Sequence, residues 1–403
     1  FHVWRVDRNW ASEETIERSA AYRAGVNTDA VGSAAIESTR EQYAFDWNNW
    51  PADDGAPYEE CNGQAGYQPA NPDSVAAGVE CGSGNLGGDI PGRPGADQTV
   101  WLVTNDVGSS SNTDAATGSY GSQAIGMEVQ YTIWGYQRPP NVPLANIAFM
   151  NARLIYKGLP NTKPDAQIDS MFTTWWADPD VGSAGNDFAG VNVDKSLGYA
   201  YNASSSDGSY SSLGLPPPAV GWDFFKGPVT QQGDTLGLSS YVFFAAGGEI
   251  SDPDLGERQG SLQWYNLMRG VKPRPSYPQQ DPFVNPLTNQ ETVFTLSGDP
   301  VSGSGWIDGI TAPPGDRRVV NNSGPFTMEL GDTVDVSVGQ VSALGTGNIS
   351  SVSRMQFFDE TAQFAFDQDF NIPGPPASPS LRAATLDGEV VLNWDADDQR
   401  QNR

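Results

Sequence analysis

The chain has one histidine, His2, in 403 residues. Ser–His–Asp and Cys–His nucleophilic sets would have to use that residue, next to the chain start, and no Ser-x-x-Lys replaces them. Two cysteines, Cys61 and Cys81, and one distant histidine fall short of a four-ligand zinc site. Lysine is scarce: 5 Lys and 17 Arg face 49 Asp and Glu, a formal charge of −27. A phosphate backbone needs a basic face, so nucleic acid is excluded as a partner. An anionic membrane surface is repelled for the same reason. The most apolar run, YVFFAA at 241–246, is too short for membrane insertion. The Gly-rich stretch GSGNLGGD at 82–89 lacks the Lys and the strand–helix setting of a phosphate loop. No blade-length repeat supports a propeller. These absences leave no catalytic residue to nominate. A carboxylate pair for glycoside hydrolysis is the one enzymatic arrangement left, and among 49 acids proximity alone selects none.

What is present points outside the cell. Excess acid with little Lys suits a halophilic protein, because hydrated carboxylates hold water while salt screens their repulsion. Both cysteines lie in one polar stretch, 59–84, poor in apolar residues. A Cys61–Cys81 disulfide would order it and fits an oxidising compartment. The opening on Phe1 rather than Met is read as a processed or trimmed start. Gly and Pro supply 75 residues, so turns are frequent and a helical bundle is excluded.

Residues 1–98 read as a strand (FHVWRVDRNW), a helix capped by Ser12, and the stapled loop region. Residues 99–270 form a β-rich core: TVWLVTND, IGMEVQYTIWGYQ and IAFMNARLIYKG alternate with period two, and SYVFFAA adds a strand. Within the second, Met127, Val129, Tyr131 and Ile133 share a face. DPDLGERQGSLQWYNLMRG at 252–270 reads as a helix capped by Ser251 or Asp252. A Pro-rich linker opens 271–375, followed by ETVFTLSGD, GPFTMELGD and TVDVSVGQ as strands. A helix near 350–370 closes that segment, with Val352, Met355, Phe358, Ala362, Ala365 and Phe366 on one face. Residues 376–403 are a linker and two strands around Asp387–Gly388. The expected fold is mainly β: an antiparallel β-sandwich with a few peripheral helices and long loops.

The strongest local chemistry is DPDVGSAGNDFAGVNVD at 178–194. Hard cations take several oxygens at once, and Asp178, Asp180, Asn186, Asp187 and Asp194 could supply them to Ca²⁺. The spacing is not that of an EF-hand. The related string DPDLG at 252–256 reads as a helix start instead, and Arg317 and Arg318 as ion-pair residues. Trp175 and Trp176 are strand neighbours facing opposite ways, so one of them is a candidate for an interface or for stacking on a sugar ring.

Several stretches in order carry a resemblance: ADQTVWLVTND, GSQAIGMEVQYTIWGY, LANIAFMNARLIYKG, WWADPDVGSAGNDFAGVNVDKSLGYAYN, PPAVGWDFFKGP, GSGWIDG and PGDRRVVNNSGPFTMELGDTVDVSVG. Together they resemble a group of uncharacterised large secreted proteins of Bacteroidetes and related phyla, which commonly carry a type IX secretion sorting signal. PASPSLRAATLDGEVVLNWD is similar to the first strands of a fibronectin type III module. The resemblance covers most of residues 1–375. It implies export and surface attachment, and no mechanism. This sequence departs from the group in its cysteine loop, where relatives often have an Asp/Asn-rich segment, and in showing no sorting signal. The expectation is an exported, non-catalytic surface or matrix protein, stabilised by Ca²⁺ and self-assembling. The rival is a carbohydrate-binding or glycan-processing accessory protein.

Overall fold

In a computed structural model, the residues described are 2–107, 123–137, 143–245, 250–255, 257–273, 281–370, 381–386 and 389–394. The chain divides into two compact units, Phe1–Gln363 and Phe364–Arg403.

The first unit opens with β1 (Trp4–Asp7), α1 (Glu13–Ala24) and α2 (Ser33–Asn48). The stapled region holds β2 (Tyr58–Glu59), α3 (Pro72–Ala76) and β3 (Ile90–Pro91). Then come β4 (Gln98–Asn105), β5 (Met127–Gly135), β6 (Ile147–Tyr156), β7 (Gln167–Ala177), β8 (Asp187–Asn192) and β9 (Leu197–Asn202). They are followed by α4 (Gly208–Ser211), β10 (Ala219–Lys226), β11 (Ser240–Ala245) and α5 (Arg258–Met268). The last elements of this unit are β12 (Phe283–Asn285), β13 (Gln290–Thr292), β14 (Arg317–Glu329), β15 (Thr333–Ala343) and α6 (Asn348–Asp367), whose end passes into the second unit. The second unit carries the antiparallel hairpin β16 (Leu381–Leu386) and β17 (Glu389–Trp394). The expected linker at 373–380 and the turn at Asp387–Gly388 lie outside the described residues.

Eight strands form one antiparallel sheet in the order β1-β4-β5-β6-β15-β10-β9-β8, and β11-β14-β7 form a second. The fold is mainly β, as the alternating pattern requires. Strands from segments 1–98, 99–270 and 271–375 share the large sheet, with β15 central between β6 and β10. β14 and β15 are joined by the turn at Gly331 yet belong to different sheets. That corner brings the sheets face to face. Met127, Val129, Leu154, Val334, Val336 and Val338 of the large sheet pack against Met171, Trp175, Phe326 and Met328 of the small one. The sheets approach closely where β9 crosses β14: a Cβ on Gly198 would overlap the side chain of Asn321. Asn202 and Asn321, both in glycosylation-type sequons, are fully buried.

Helices cover the outer faces. Ser12 caps α1 by accepting from Thr15 N. α2 has almost no amphipathic pattern. It forms because Trp47 is buried against Trp10, Trp50, Ala70 and Ile90, with its indole N–H donating to Ala70 O at 2.9 Å. α6 buries Val352, Met355, Phe358 and Ala362, the expected face. Its Asp359 shares a hydrogen bond with Asp223 of β10, and burial pushes the Asp359 carboxyl up. Two expected elements differ. The 252–270 helix starts at Arg258, because Asp254 N is taken by Gln263 Oε1 at 2.6 Å and the DPD string folds back onto the helix flank. ETVFTLSGD is mostly turn: only Gln290–Thr292 pairs as a strand, while Thr295 N donates to Tyr241 O.

Cys61 and Cys81 are disulfide-bonded, with a Cα–Cα distance of 4.9 Å. The loop is less polar than it reads. Ala70, Val75, Leu86 and Ile90 enter the core, and fully buried Asp89 accepts from Cys61 N, Asn62 N and Gln68 N. With a sequence separation of 20 residues, removing the crosslink by Cys61→Ser/Cys81→Ser should cost about 3 kcal/mol, measured by urea unfolding.

Candidate metal centre and aromatic cleft

β14 begins with two arginines. Successive strand residues face opposite ways, so they reach different layers. Arg317 points inward and makes a bidentate pair with Asp308, at 2.8 and 3.0 Å. Asp308 also accepts from Ala189 N, and Arg317 donates to Pro313 O. Both side chains are buried, so the pair survives only because every group is bonded.

Arg318 reaches the other way and meets three carboxylates: Asp178 at 3.2 Å, Asp252 at 3.5 Å and Asp316 at 2.9 Å. The two DPD strings therefore converge on one guanidinium. Oxygens of Asp178, Asp180 and Asp316 all lie within 4.8 Å of one another. Burial pushes the Asp178 carboxyl up; Arg318 opposes the shift, while Asp316 and Asp180 add to it.

Beside this cluster, Asp187 opens β8 with 1% exposure. Its Oδ2 accepts from Val181 N at 3.1 Å, and its carbonyl accepts from Gly315 N. It thus sits between the Asp180–Val181 turn and the Gly315–Asp316 segment. Its Oδ1 is buried with no hydrogen-bond partner. Desolvation, with repulsion from Asp180, Asp207 and Asp316, raises its pKa to about 7.

Of the five expected ligands, Asp178 and Asp180 are brought together, and Asp316 joins them from the β14 approach; Asp187 lies beside this trio, where Asp180 and Asp316 help to raise its pKa. Asn186 instead braces a neighbouring turn: its amide donates to Asp207 Oδ2 and its Oδ1 accepts from Asn202. The Asn186 amide leads the hydrogen bonds that hold Asp207 below the ordinary carboxylate range. Asp194 is exposed at the opposite end of β8, separated from Asp187 by the whole strand. Strand β8 takes up six of the 17 residues of 178–194 and runs between Asp187 and Asp194, so the ends of the segment do not close on one ion. Asp316 lay in the sequence as PGDRRVV, beside the arginines already singled out, but only the fold brings it to Asp178.

A cleft of about 530 Å³ borders the cluster, lined by Trp175, Trp176, Asp178, Asp180, Tyr210 and Trp222 among others. Trp175 is half-buried between the sheets. Trp176 is 47% exposed and meets Trp264 edge-on at 6.0 Å. The acids in the cleft stand closer than the ~5–5.5 Å of a retaining glycosidase pair, and Arg318 occupies one of them. That geometry suits holding a cation better than passing a proton. Among the described residues, no helix is long and apolar enough to cross a membrane.

No protein-family model and no curated protein matches this chain.

Two predictions follow from the charges. Arg317→Met strands Asp308 in the core and should cost about 3–5 kcal/mol in urea unfolding, whereas Arg318→Met, at a partly solvated site, should cost clearly less. The pKa of Asp187 lies above its unfolded value of 3.8, so between 3.8 and about 7 the folded chain keeps a proton that the unfolded chain has lost. Without divalent cation, stability should fall as pH rises through that window. Asp187→Asn should flatten its part of the slope, read from melting midpoints at stepped pH.

Proposed function

We propose that this chain is an exported, non-catalytic component of a cell surface or extracellular matrix, with a sandwich locked by a disulfide and by bound Ca²⁺. The observation that carries the reading is the Asp187 carboxyl, buried between two acidic turns with one oxygen unpartnered. A divalent cation held by Asp178, Asp180 and Asp316 would offset the repulsion that raises its pKa. Arg318 supplies one positive charge to a group of five carboxylates, so charge remains to be neutralised. Extracellular calcium modules work at ~10⁻⁴–10⁻³ M, the regime of an exposed, partly preformed site. The disulfide, the acid excess and the resemblance to secreted surface proteins support the compartment. Exposed aromatics at Trp176 and Phe357 support self-association once salt screens the net charge.

A second reading, carbohydrate binding, is favoured by the aromatic cleft. Trp176 and Tyr210 offer ring surface next to Asp178 and Asp180, which would accept from sugar hydroxyls.

The cation is tested by thermal melting in ~10 mM calcium against chelator. At ten to a hundred times Kd, binding adds about 1.5–3 kcal/mol. Asp316→Asn should remove most of the response, although Asp316 lies outside the 178–194 stretch. An unchanged wild-type midpoint would remove the ion from this account. Sedimentation in ~1 M salt with calcium should show oligomers; a monomer there would end the self-assembly reading.

A further inference from the structure

Several of the described cations have a carboxylate partner. Arg8 pairs with Glu59, Arg40 with Glu13 and Glu37, Arg153 with Asp335, and Lys195 with Glu360. In a chain with more than two acids for each base, that is the expected arrangement. Arg5, Arg18 and Arg23 depart from it. Among the described residues, none of the three has a carboxylate oxygen within 4 Å. All three line one cleft of about 520 Å³ between α1, α2 and the β1–β4 edge.

The local fold explains the gathering. Arg18, Ser19, Tyr22 and Arg23 lie on one face of α1, at the i, i+1, i+4 and i+5 positions. Arg5 comes from β1, the edge strand of the large sheet. Two acids of α1 and α2, Glu13 and Glu37, are turned to Arg40, and Glu14, four residues before Arg18, forms no ion pair with it among the described residues. The one acid lining the cleft, Asp46, is fully buried and committed: it accepts from His2, Gln42 and Arg5 N. The field of Arg18 reaches buried Asp7, but no ion pair forms there. The rest of the lining offers hydrogen-bonding groups and rings: Gln42, Gln98, Ser19, Thr99, Tyr43 and Tyr22, the last 89% exposed.

We propose that this cleft binds a carboxylated saccharide, such as a hexuronate unit of an acidic polysaccharide. Guanidinium forks match carboxylates bidentately, and amide, hydroxyl and tyrosine groups suit a sugar's hydroxyls and ring face. The volume lies in the ~300–1,000 Å³ range of small-ligand sites. A net charge of −27 would repel such a polymer at long range. At ~0.15 M salt the screening length is about 8 Å, so the whole-protein repulsion fades while direct contacts persist. The site would tether the protein to acidic polysaccharide without using the Asp187 cluster.

The test is a titration of the whole chain with digalacturonate at ~0.15 M salt, followed by saturation-transfer NMR, with chelator present so that the cation site plays no part. Cellobiose and inorganic sulfate are the comparison ligands. The expected result is binding of digalacturonate, at least tenfold weaker binding of cellobiose and of sulfate, and at least a tenfold loss in Arg18→Gln/Arg23→Gln. Both arginines are exposed, and an unchanged melting midpoint would confirm that the variant folds. Absence of digalacturonate binding to the wild type, or binding the variant retains, would overturn the proposal. Equal affinity for sulfate would overturn the saccharide assignment.

Discussion

Two adjacent arginines on one strand decide how this molecule is held together at its most acidic point. Strand alternation sends Arg317 into the core and Arg318 to the surface. The inward one fixes the long approach to β14 by a fully bonded pair with Asp308, which in turn holds the backbone of β8 through Ala189. The outward one collects carboxylates from the turn after β7, the turn before α5 and the residue just ahead of its own strand. Because β8 and β14 are fixed to each other in this way, Asp187 has no freedom to swing into water. The buried, half-partnered carboxyl is a consequence of the ion pair beneath it.

The same logic runs through the rest of the chain. Where an acid is buried, something specific meets it. Asp89 accepts three backbone amides and organises the crosslinked loop. Asp207 gathers Asn186, Asn202 and the amides of Ser183 and Ser209. Asp359 shares a hydrogen bond with Asp223 under α6. Asp187, like Asp359, keeps one buried oxygen without a hydrogen-bond partner among the described residues, and it does so beside three further carboxylates. An orphaned buried oxygen is costly, and in a cluster of like charges its cost grows with each neighbour. A bound cation is the simplest ligand that would remove all of these penalties together.

Much of the architecture was legible because strands that are covered on one face show period two. β4, β5, β6, β11, β15 and the second half of β14 fall where the pattern places them, and the buried stripe of α6 follows its 3.6-residue period. Ser12 announced α1, and the opposite fates of Trp175 and Trp176 follow from strand geometry alone. What was illegible depends on distant partners. α2 lacks an amphipathic stripe because one tryptophan does most of its anchoring, partly against residues as distant as Trp10, Ala70 and Ile90. The helix start at 252 looked convincing because Asp and Pro suit a first turn, yet Gln263 competes for the Asp254 backbone and delays the helix. The acidic cluster was half visible. Local spacing finds Asp178, Asp180 and Asp187, but it also includes Asn186 and Asp194 and misses Asp316, because a strand inside the segment sends its two ends apart.

Salt separates the two sites physically. In concentrated salt the screening length falls to about 3 Å, so a charge is felt only by groups it touches. Under those conditions the overall −27 no longer decides what binds, and short-range geometry does. The oxygens of Asp178, Asp180 and Asp316, beside Asp187, lie within 4.8 Å of one another, so much of their repulsion persists in brine. Among the described residues the arginines around the α1–α2 cleft have no contacting acid, so they too keep their capacity for a partner when the long-range field has gone. A surface this acidic is then compatible with selective attachment. The bulk charge keeps the protein hydrated and dispersed, while one cluster at each end of the large sheet is left with an uncompensated charge, of opposite sign at the two ends.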